Sequence, residues 1–577
     1  MHPQKRWQHE PGSREESQLL ENQLHVSQFL ANLLVQRGLA DTQQAETFLN
    51  PTLGSLTDPL LLTNLEQAGN RILHAIRENE RIHIIGDYDV DGVTSTTLLV
   101  SFLKRFGSLP HFVVPRRLEE GYGMSRKVID RSLSGGTPSL FIALDCGTNS
   151  IEEVAYLRSL GVDVIIIDHH QSTQATPEDC ILVNPHIFDD EDSPWRNLCT
   201  VGLAFKLVHG IVKILRGQGN EEAHQIDLKD YLDLVAMGTI ADLVPLNAEN
   251  RILVRHGLKK LRQSNRCGIQ ALFQVSGLGL EGKDLRASDI SFKLGPRINA
   301  SGRLADASLP IEMFLSDNFQ ESIQAARQLD EMNSERQRIE RDIVTEAEAM
   351  VEERYNDAHG VIVFNHSWHP GVVGIVASRL THILKKPVIV LGAEGTLAKG
   401  SGRSVPGLDL VKALNQADEL LTEYGGHPMA VGLTIDQSQI EKFRQIFNDA
   451  VFKQLGDADC EPTLDIDCWV EPEHISTSLL EDLEKLQPYG QANHEPIIGT
   501  QGFQLAQSPQ LIGQGGKHFR FNHYNPAGER VSGIGWNLGA SPPPSNTLLD
   551  MVFKFGWNHW NGATYPQMEV LDWRLSE

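Results

Sequence analysis

Three short apolar runs in the N-terminal third of the chain each stop at an aspartate: IHIIGDYDVDG, SLFIALDCGTNS and GVDVIIIDHHQ. They supply Asp87, Asp89 and Asp91, then Asp145, then Asp168 with His169 and His170. A fourth apolar stretch, YLDLVAMGTIADLVPL, releases Asp242 just before a Val-Pro break. Carboxylates brought together repel, and a dry pocket sharpens the repulsion, so something positive must neutralise them. Oxygen-rich sites with one or two imidazoles suit manganese or magnesium better than zinc or copper. No CxxC or HExxH pattern competes with that reading. Asp87 and Asp89 stand two apart, so on an extended strand end they point the same way and can each serve one of two ions. The ordinary role of a lone aspartate after a strand is to cap the next helix. Three such endings, one followed by His-His, favour a metal site. Asp91 is the exception: it precedes Gly92 and a Thr/Ser-rich helix start, and reads as a cap.

For these carboxylates to converge, their strands must be neighbours in one sheet, whose ligand sites lie at the carboxyl ends of the strands. The segments TSTTLLVSFLKRF and NSIEEVAYLRSLG between the runs carry helical spacing, so the pattern is strand, helix, strand, as in an open parallel sheet. Continuous rather than alternating apolar strands imply burial on both faces. Residues 1–80 read as helical, with Gly38 and Pro51 as punctuation. Residues 317–354 hold neither Gly nor Pro, and Ile339, Ile343, Ala347 and Met350 recur at helical spacing. They predict one long connecting helix, or two in series. A second α/β segment follows at GVIVFNHSWHPGVVGIVASRLTHILKKPVIVLG and ends in the glycine-rich turns AKGSGRSVPGLD and YGGHPMAVGL. From about residue 456, KHFRFNHYN and MVFKFGWNHW alternate at period two, as antiparallel strands do. Many short strands with Gly/Asn turns suggest a small barrel or sandwich.

The chain has 577 residues, too many for one core; about three or four domains are expected. With 40% hydrophobic and 22% charged residues it is not a disordered or fibrous chain. No apolar run approaches the ~20 residues of a membrane helix. MHPQKRWQHEPGS holds no continuous apolar segment of the secretory kind. Six scattered cysteines fit a reducing cytoplasm better than a disulfide framework. A net charge of −24 argues against coating DNA with the whole surface, though not against a local basic groove.

DYDVDG, the DCG triplet, the DHH triplet and the aspartate of ADLVPL resemble, in order, the four motifs of DHH phosphoesterases. GPRINASGR (295–303), WHPGVVGIVASRL (368–380), SGRSVPG (401–407) and GGHPMAVGL (425–433) are similar to the later motifs of the bacterial RecJ exonucleases. The resemblance spans essentially the whole chain. It implies an α/β architecture: a DHH domain with a parallel sheet, a long connecting helix, a second α/β domain of DHHA1 type and a C-terminal OB-like β-barrel. The expected limits are 1–65 for an N-terminal helical region, 66–265 for the DHH domain, 266–355 for the connector, 356–455 for the DHHA1-type domain and 456–577 for the nucleic-acid-binding domain.

The resemblance also implies an activity, a 5′-to-3′ exonuclease specific for single-stranded DNA that releases mononucleotides in repair and recombination. Asp87, Asp89, Asp145, His169 and Asp242 would hold two divalent ions, Mn2+ or Mg2+, with Asp145 bridging. Two ions ~3.5–4 Å apart can activate water and stabilise both entering and leaving oxygens of an in-line displacement. His170 cannot easily point the same way as its neighbour on an extended backbone, and is assigned to the scissile phosphate. Asp168 would orient a histidine or cap a helix. Arg297 and Arg303 flank Asn299 in a glycine-containing turn, and their planar forks suit phosphate oxygens, although without the resemblance each reads as readily as a surface ion pair. Ser401, Arg403 and His427 would face the metal site across a cleft. Tyr122, between two glycines, lies either in an ordinary loop or in a lip that stacks a base. His83, four residues before Asp87, is expected to be a core histidine. Lys517, Phe519, Arg520, Phe521, His523 and Tyr524, and likewise Phe553, Lys554, Phe555 and Trp557, interleave basic and aromatic residues as a single-strand-binding sheet does. Alternating Phe also fills a core, the reading that pattern alone favours, and the resemblance to an OB-like domain implies the binding role without naming contacts. A RecQ-type helicase and a single-strand-binding protein are the partners the family suggests, with a monomeric state. Two other readings stand beside this one: a DHH phosphodiesterase for short oligonucleotides or cyclic dinucleotides, and a replication scaffold with an inactive DHH domain.

Overall fold

The structure is a computed structural model and describes residues 5–116, 119–121, 123–172, 174–279, 284–304, 307–456, 463–560 and 563–576. The β-branched runs form β1 (Ile82–Gly86), β2 (His111–Val113), β3 (Leu140–Leu144), β4 (Asp163–Ile167) and β5 (Ile181–Val183). They make one five-stranded sheet in the order β2-β1-β3-β4-β5, every pair parallel. β1 and β3 are buried at every position, which is why their sequences are apolar without alternation. Register pairs Gly86 with Leu144 and Leu144 with Ile167, so β1, β3 and β4 end on one line. Asp87, Asp145 and Asp168 come next, and each donates its backbone N–H to the neighbouring strand, to Leu144, Ile167 and Val183 respectively. The three aspartates therefore stand side by side at one rim of the sheet.

Helices α1 (Val90–Arg105), α2 (Thr200–Gly217) and α3 (Leu232–Ala241) pack in the core of this domain. From Leu232 to Ile240 α3 is buried on every side, so it carries no polar stripe. The segment expected to be a turn around Arg297, Asn299 and Arg303 is instead helix α4 (Gly295–Leu304). It continues directly from a π-helical turn, Ile290–Leu294. Pro296 has no N–H to give, and its ring crowds the preceding turn; the wider π turn accommodates both. The connector is one unbroken helix, α5 (Phe319–Arg354), 36 residues long. At about 1.5 Å per residue it runs for about 54 Å. Ile323, Ala326 and Leu329 bury into the first domain, while Ile343, Val344, Ala347 and Val351 bury into the second.

The second α/β unit contains β6 (Val361–Asn365), α6 (Val373–Leu384), β7 (Val388–Glu394), β8 (Leu397–Arg403), β9 (Leu421–His427) and β10 (Ala430–Asp436). Its strand order is β9-β10-β8-β7-β6, with only β6 and β7 parallel. The C-terminal region adds β11 (Cys468–Trp469), β12 (Ile498–Gln504), β13 (Gln510–Ile512), β14 (His518–Tyr524), β15 (Arg530–Gly535), β16 (Leu548–Trp560) and β17 (Ala563–Leu575). These form one seven-stranded OB-like sheet in the order β11-β12-β16-β17-β15-β14-β13. Phe519, Phe521, Phe553 and Phe555 are buried, as period-two alternation predicts, and Arg520 and Tyr524 are exposed.

The reading of residues 1–80 as helical omits a short strand, Arg6–Gln8, which pairs in parallel with Thr463–Asp465. The helices Arg14–Leu24, Gln28–Gln36 and Thr42–Leu49 are capped by the side chains of Ser13, Ser27 and Asp41. Their Leu20, Leu30, Leu33 and Leu34 share one core with Phe503, Phe519 and Phe553 of the C-terminal sheet. Arg251 ties this body to the DHH domain. It is buried, its guanidinium lies 3.4 Å from the centre of the Phe48 ring, and it donates to the carbonyls of Phe48, Lys485, Leu486 and Gln487. Among the described residues no helix is long and apolar enough to cross a membrane.

Candidate metal centre

Asp87 directly follows β1 and is buried. Two residues on, Asp89 caps α1, its Oδ1 accepting from the backbone N–H of Asp91 at 2.9 Å and Gly92 at 3.1 Å. Gly92 is required there, because a Cβ would lie 2.3 Å from the Asp87 carbonyl oxygen. Asp91 does act as a cap, but of a different helix from the one its sequence neighbours indicate. Its carboxylate accepts from Thr200 N at 2.6 Å and Val201 N at 2.8 Å, at the start of α2.

Asp145 sits in the left-handed region, with φ of 65°. A non-glycine residue held there costs of order 1–3 kcal/mol, strain of a kind that clusters at functional sites. Its Oδ1 accepts from the Thr200 hydroxyl at 3.0 Å. His169 Nε2 is buried, makes no hydrogen bond, and lies 3.4 Å from Asp145 Oδ1 and 3.4 Å from Asp242 Oδ2. Asp242 emerges at the carboxyl end of α3. Burial, with Asp91 and Asp89 beside it, pushes the Asp242 carboxyl up to about 9. Burial and the same crowd of carboxylates raise Asp145 well above the usual range, and burial lowers His169. Alone, such a cluster must hold protons; a cation relieves it instead.

Asp168 stands apart from its neighbours. Burial works against its charge, but His170 Nδ1 at 2.7 Å, the backbone N–H groups of His169 and His170, and both N–H and hydroxyl of Thr148 hold it well below the usual carboxylate range. Its oxygens are fully used, so it orients His170. Burial opposes charge on His170 too, yet the Asp168 hydrogen bond and charge outweigh it and push His170 up to about 9.

Two sets of ligand atoms each fall within 4.8 Å of one another, Asp87 with Asp89 and Asp145, and Asp145 with His169 and His170. They share Asp145. Carboxylate oxygens with imidazole nitrogen fit Mn2+ or Mg2+.

α4 links this centre to the second unit. A Cβ on Gly302 would touch Tyr88, between Asp87 and Asp89, at 3.0 Å, so the glycine lets the helix lie directly on the DYDVDG turn. The next residue, Arg303, donates to Gly371 O at 3.1 Å across the domain boundary. It lines a cleft of about 790 Å³ together with Gly374, Lys399, Ser401 and Arg403. Arg403 donates to Ser401 Oγ at 2.7 Å, and Ser401 to Val431 O at 3.2 Å. His427 pairs in register with Ala430, and Ala430 with Arg403, so this exposed histidine shares their sheet face. Arg297 does not line the cleft. Its Nε meets Asp330 of α5 at 2.8 Å and it donates to Lys293 O at 2.6 Å. Asn299 Oδ1 is buried without a hydrogen bond. Tyr122 lies outside the described residues. His83 is a core histidine: Nδ1 meets Ser132 Oγ at 3.0 Å, and burial with neighbouring His111 pushes it down to about 4.

Comparison with known proteins agrees with this layout. Residues 81–239 match the DHH family N-terminal domain, 357–453 the DHHA1 domain and 466–572 the RecJ OB domain. The single-stranded-DNA-specific exonuclease RecJ of Bacillus subtilis is 33% identical over 576 residues, 99% of this chain and 71% of the relative. That of Escherichia coli is 34% identical over 94% of this chain and 95% of its own. The chain belongs to the RecJ family. A solved RecJ structure, the Mn2+ complex from Thermus thermophilus, superposes with a TM-score of 0.83 at 27% identity, covering 100% of this chain and 80% of that one. A Mg2+ complex from the same organism gives 0.77 at 26% identity, covering 100% of this chain and 79% of that one.

Within this RecJ-family framework, sequence reasoning missed the scaffold beneath the ligands. Asn184 donates to Thr148 Oγ1 and to the His170 carbonyl, both at 2.9 Å, completing a chain from Asn184 through Thr148 and Asp168 to His170. Thr148 directly follows the DCG triplet, which was the available signal. Nothing local in the sequence marks Thr200 or Asn184.

Proposed function

We propose that this chain is a metal-dependent exonuclease that degrades single-stranded DNA from the 5′ end and releases 5′-mononucleotides. The observation that carries it is the cluster at the rim of the parallel sheet, in which Asp87, Asp89 and Asp145 lie together and the unbonded His169 Nε2 lies 3.4 Å from both Asp145 and Asp242. Asp87, Asp89, Asp145, His169 and Asp242 are assigned as ligands of two divalent ions, Mn2+ or Mg2+. When bound, these ions supply Lewis-acid charge for in-line hydrolysis of a phosphodiester. His170, held by Asp168, donates a hydrogen bond or proton to the scissile phosphate. Arg303, Ser401 and Arg403, which line the cleft, are assigned to backbone phosphate, and Asn299, His427 and Tyr122 to further contacts with the strand. Arg297 is assigned to holding α4 on the connector, given its bond to Asp330.

The same reading keeps the domain limits drawn from sequence, 1–65, 66–265, 266–355, 356–455 and 456–577. It places the protein in the cytoplasm as a monomer, in DNA repair and recombination beside a RecQ-type helicase and a single-strand-binding protein. The match to an OB domain at 466–572 favours long strands over short oligonucleotides or cyclic dinucleotides. Digestion of end-labelled single strands with one end or the other blocked, with and without divalent metal, tests polarity and cofactor together. Digestion that survives a blocked 5′ end, or proceeds under chelation, defeats the proposal.

A further inference from the structure

A second cavity, of about 650 Å³, lies in the DHH domain away from the metal centre. Lys104 and Arg105, which line it, close α1, and Asp89 caps the opposite end of that helix. Its 16 residues, at about 1.5 Å each, hold the two ends about 24 Å apart. α3 also runs between the two places, with Asp233 of this cavity in its first turn and Asp242 of the metal centre at its carboxyl end. Basic residues in a last turn complement the helix dipole in any case. Here, however, Lys260 and Arg266 from two other segments meet them around one hollow. Four cations against three carboxylates make a local excess of positive charge in a chain of net charge −24. Two of those carboxylates are already engaged. Asp230 meets Lys260 Nζ at 2.7 Å, and the buried Asp233 meets Arg266 Nε at 3.2 Å and accepts from Ser264 Oγ at 2.7 Å. That grip fixes the Arg266 guanidinium through Nε. Its Nη1 and Nη2 make only long contacts, 3.5 Å to Ser101 Oγ and 3.4 Å to the Asp230 carbonyl. Arg105 donates to the hydroxyl of buried Tyr231. Among the described residues nothing pairs with the Lys104 ammonium.

We propose that this cavity binds the phosphate group of a small phosphorylated ligand, at a site separate from the metal centre. The Arg266 fork and Arg105 take phosphate oxygens, and Lys104 and Lys260 supply charge around them. A hollow of about 650 Å³ is of the size that small-molecule ligands occupy, and it leaves room beside the phosphate for a nucleoside against Phe314 and Leu315. Inorganic phosphate and a nucleoside monophosphate both carry the recognised group. The site stands whether or not the chain is a nuclease.

The test uses the full chain, freed of metal, and reads occupancy at the cavity itself. The half-buried Cys267 thiol lines it. dAMP and inorganic phosphate should each slow alkylation of Cys267 by iodoacetamide, followed by peptide mass, and the protection should saturate. Deoxyadenosine, which has no phosphate, should give none, and half-buried Cys180 should react at an unchanged rate. The half-protecting concentration should rise at least about tenfold in Arg266→Gln and in the double variant Lys104→Gln/Arg105→Gln, whose side chains are exposed. In Arg403→Gln, which alters the other cleft, it should stay within about twofold of the parent. Protection by dAMP at lower concentration than by phosphate assigns the site to a nucleotide, and equal concentrations assign it to free phosphate. Three results overturn the proposal: a Cys267 rate that ignores both phosphates, protection by deoxyadenosine as strong as by dAMP, or protection unchanged in Lys104→Gln/Arg105→Gln.

Discussion

Asp168→Asn removes a charge while keeping the shape. The asparagine oxygen can still accept from the backbone N–H groups of His169 and His170 and from His170 Nδ1. Its amide nitrogen then faces Thr148 N, which loses its acceptor at 3.1 Å. A buried donor left unsatisfied costs about 1–3 kcal/mol. The larger effect falls on His170. Returning it from about 9 to its ordinary 6.5 corresponds to about 3.4 kcal/mol if fully felt. The His170 side chain is 44% exposed, so solvent screening reduces this to about 1–2 kcal/mol. Because the folded value is raised, this stability is fully present below about pH 6.5 and is lost as the pH climbs through about 9. The variant should lose that slope. Its turnover at pH 7.5 should fall about 100-fold or more, the scale of a misplaced acid–base group, with partial recovery toward pH 6. Thermal melts across pH, the His170 proton resonance in the metal-free chain, and single-turnover digestion supply the readouts. An unchanged His170 midpoint together with turnover within twofold of the parent would refute the reasoning.

Chelating the bound cations at pH 7.5 should draw protons from solvent, because Asp242 is pushed up to about 9 and Asp145 is raised as well; a dye assay that sees no uptake contradicts the cluster electrostatics. Arg403→Gln should raise KM for 5′-phosphorylated single strands about tenfold with a smaller effect on kcat, since the fork lies in the cleft rather than among the metal ligands. Arg251→Met leaves four carbonyls without their donor, and should lower the stability of the C-terminal body by about 2–5 kcal/mol, seen as an earlier first transition in calorimetry.

The acidic rim of the parallel sheet was legible because its causes are local. A strand buried on both faces must be continuously apolar, so the first aspartate after it marks the rim, and the runs before Asp87, Asp145 and Asp168 all announced themselves this way. The long connector was legible through its lack of Gly and Pro. Features that depend on contact across the chain were not. Asp91 reads as the cap of its own helix because nothing nearby reveals Thr200, and Arg297 reads as a phosphate ligand because Asp330 lies 33 residues away. α4 was mistaken for a turn because Gly295, Pro296 and Gly302 depress helix propensity. One of these glycines is there for close packing on Tyr88. The union of the N-terminal helices with the C-terminal sheet joins residues as distant as Arg37 and Asn493, and period and propensity carry no such information.

Titration of the metal-free chain with Mn2+, followed by electron paramagnetic resonance, tests the central claim most directly. A shared Asp145 carboxylate predicts two ions per chain and the signal of an exchange-coupled pair, collapsing to uncoupled ions in Asp145→Asn. One ion per chain, or a pair whose coupling survives that substitution, would contradict it.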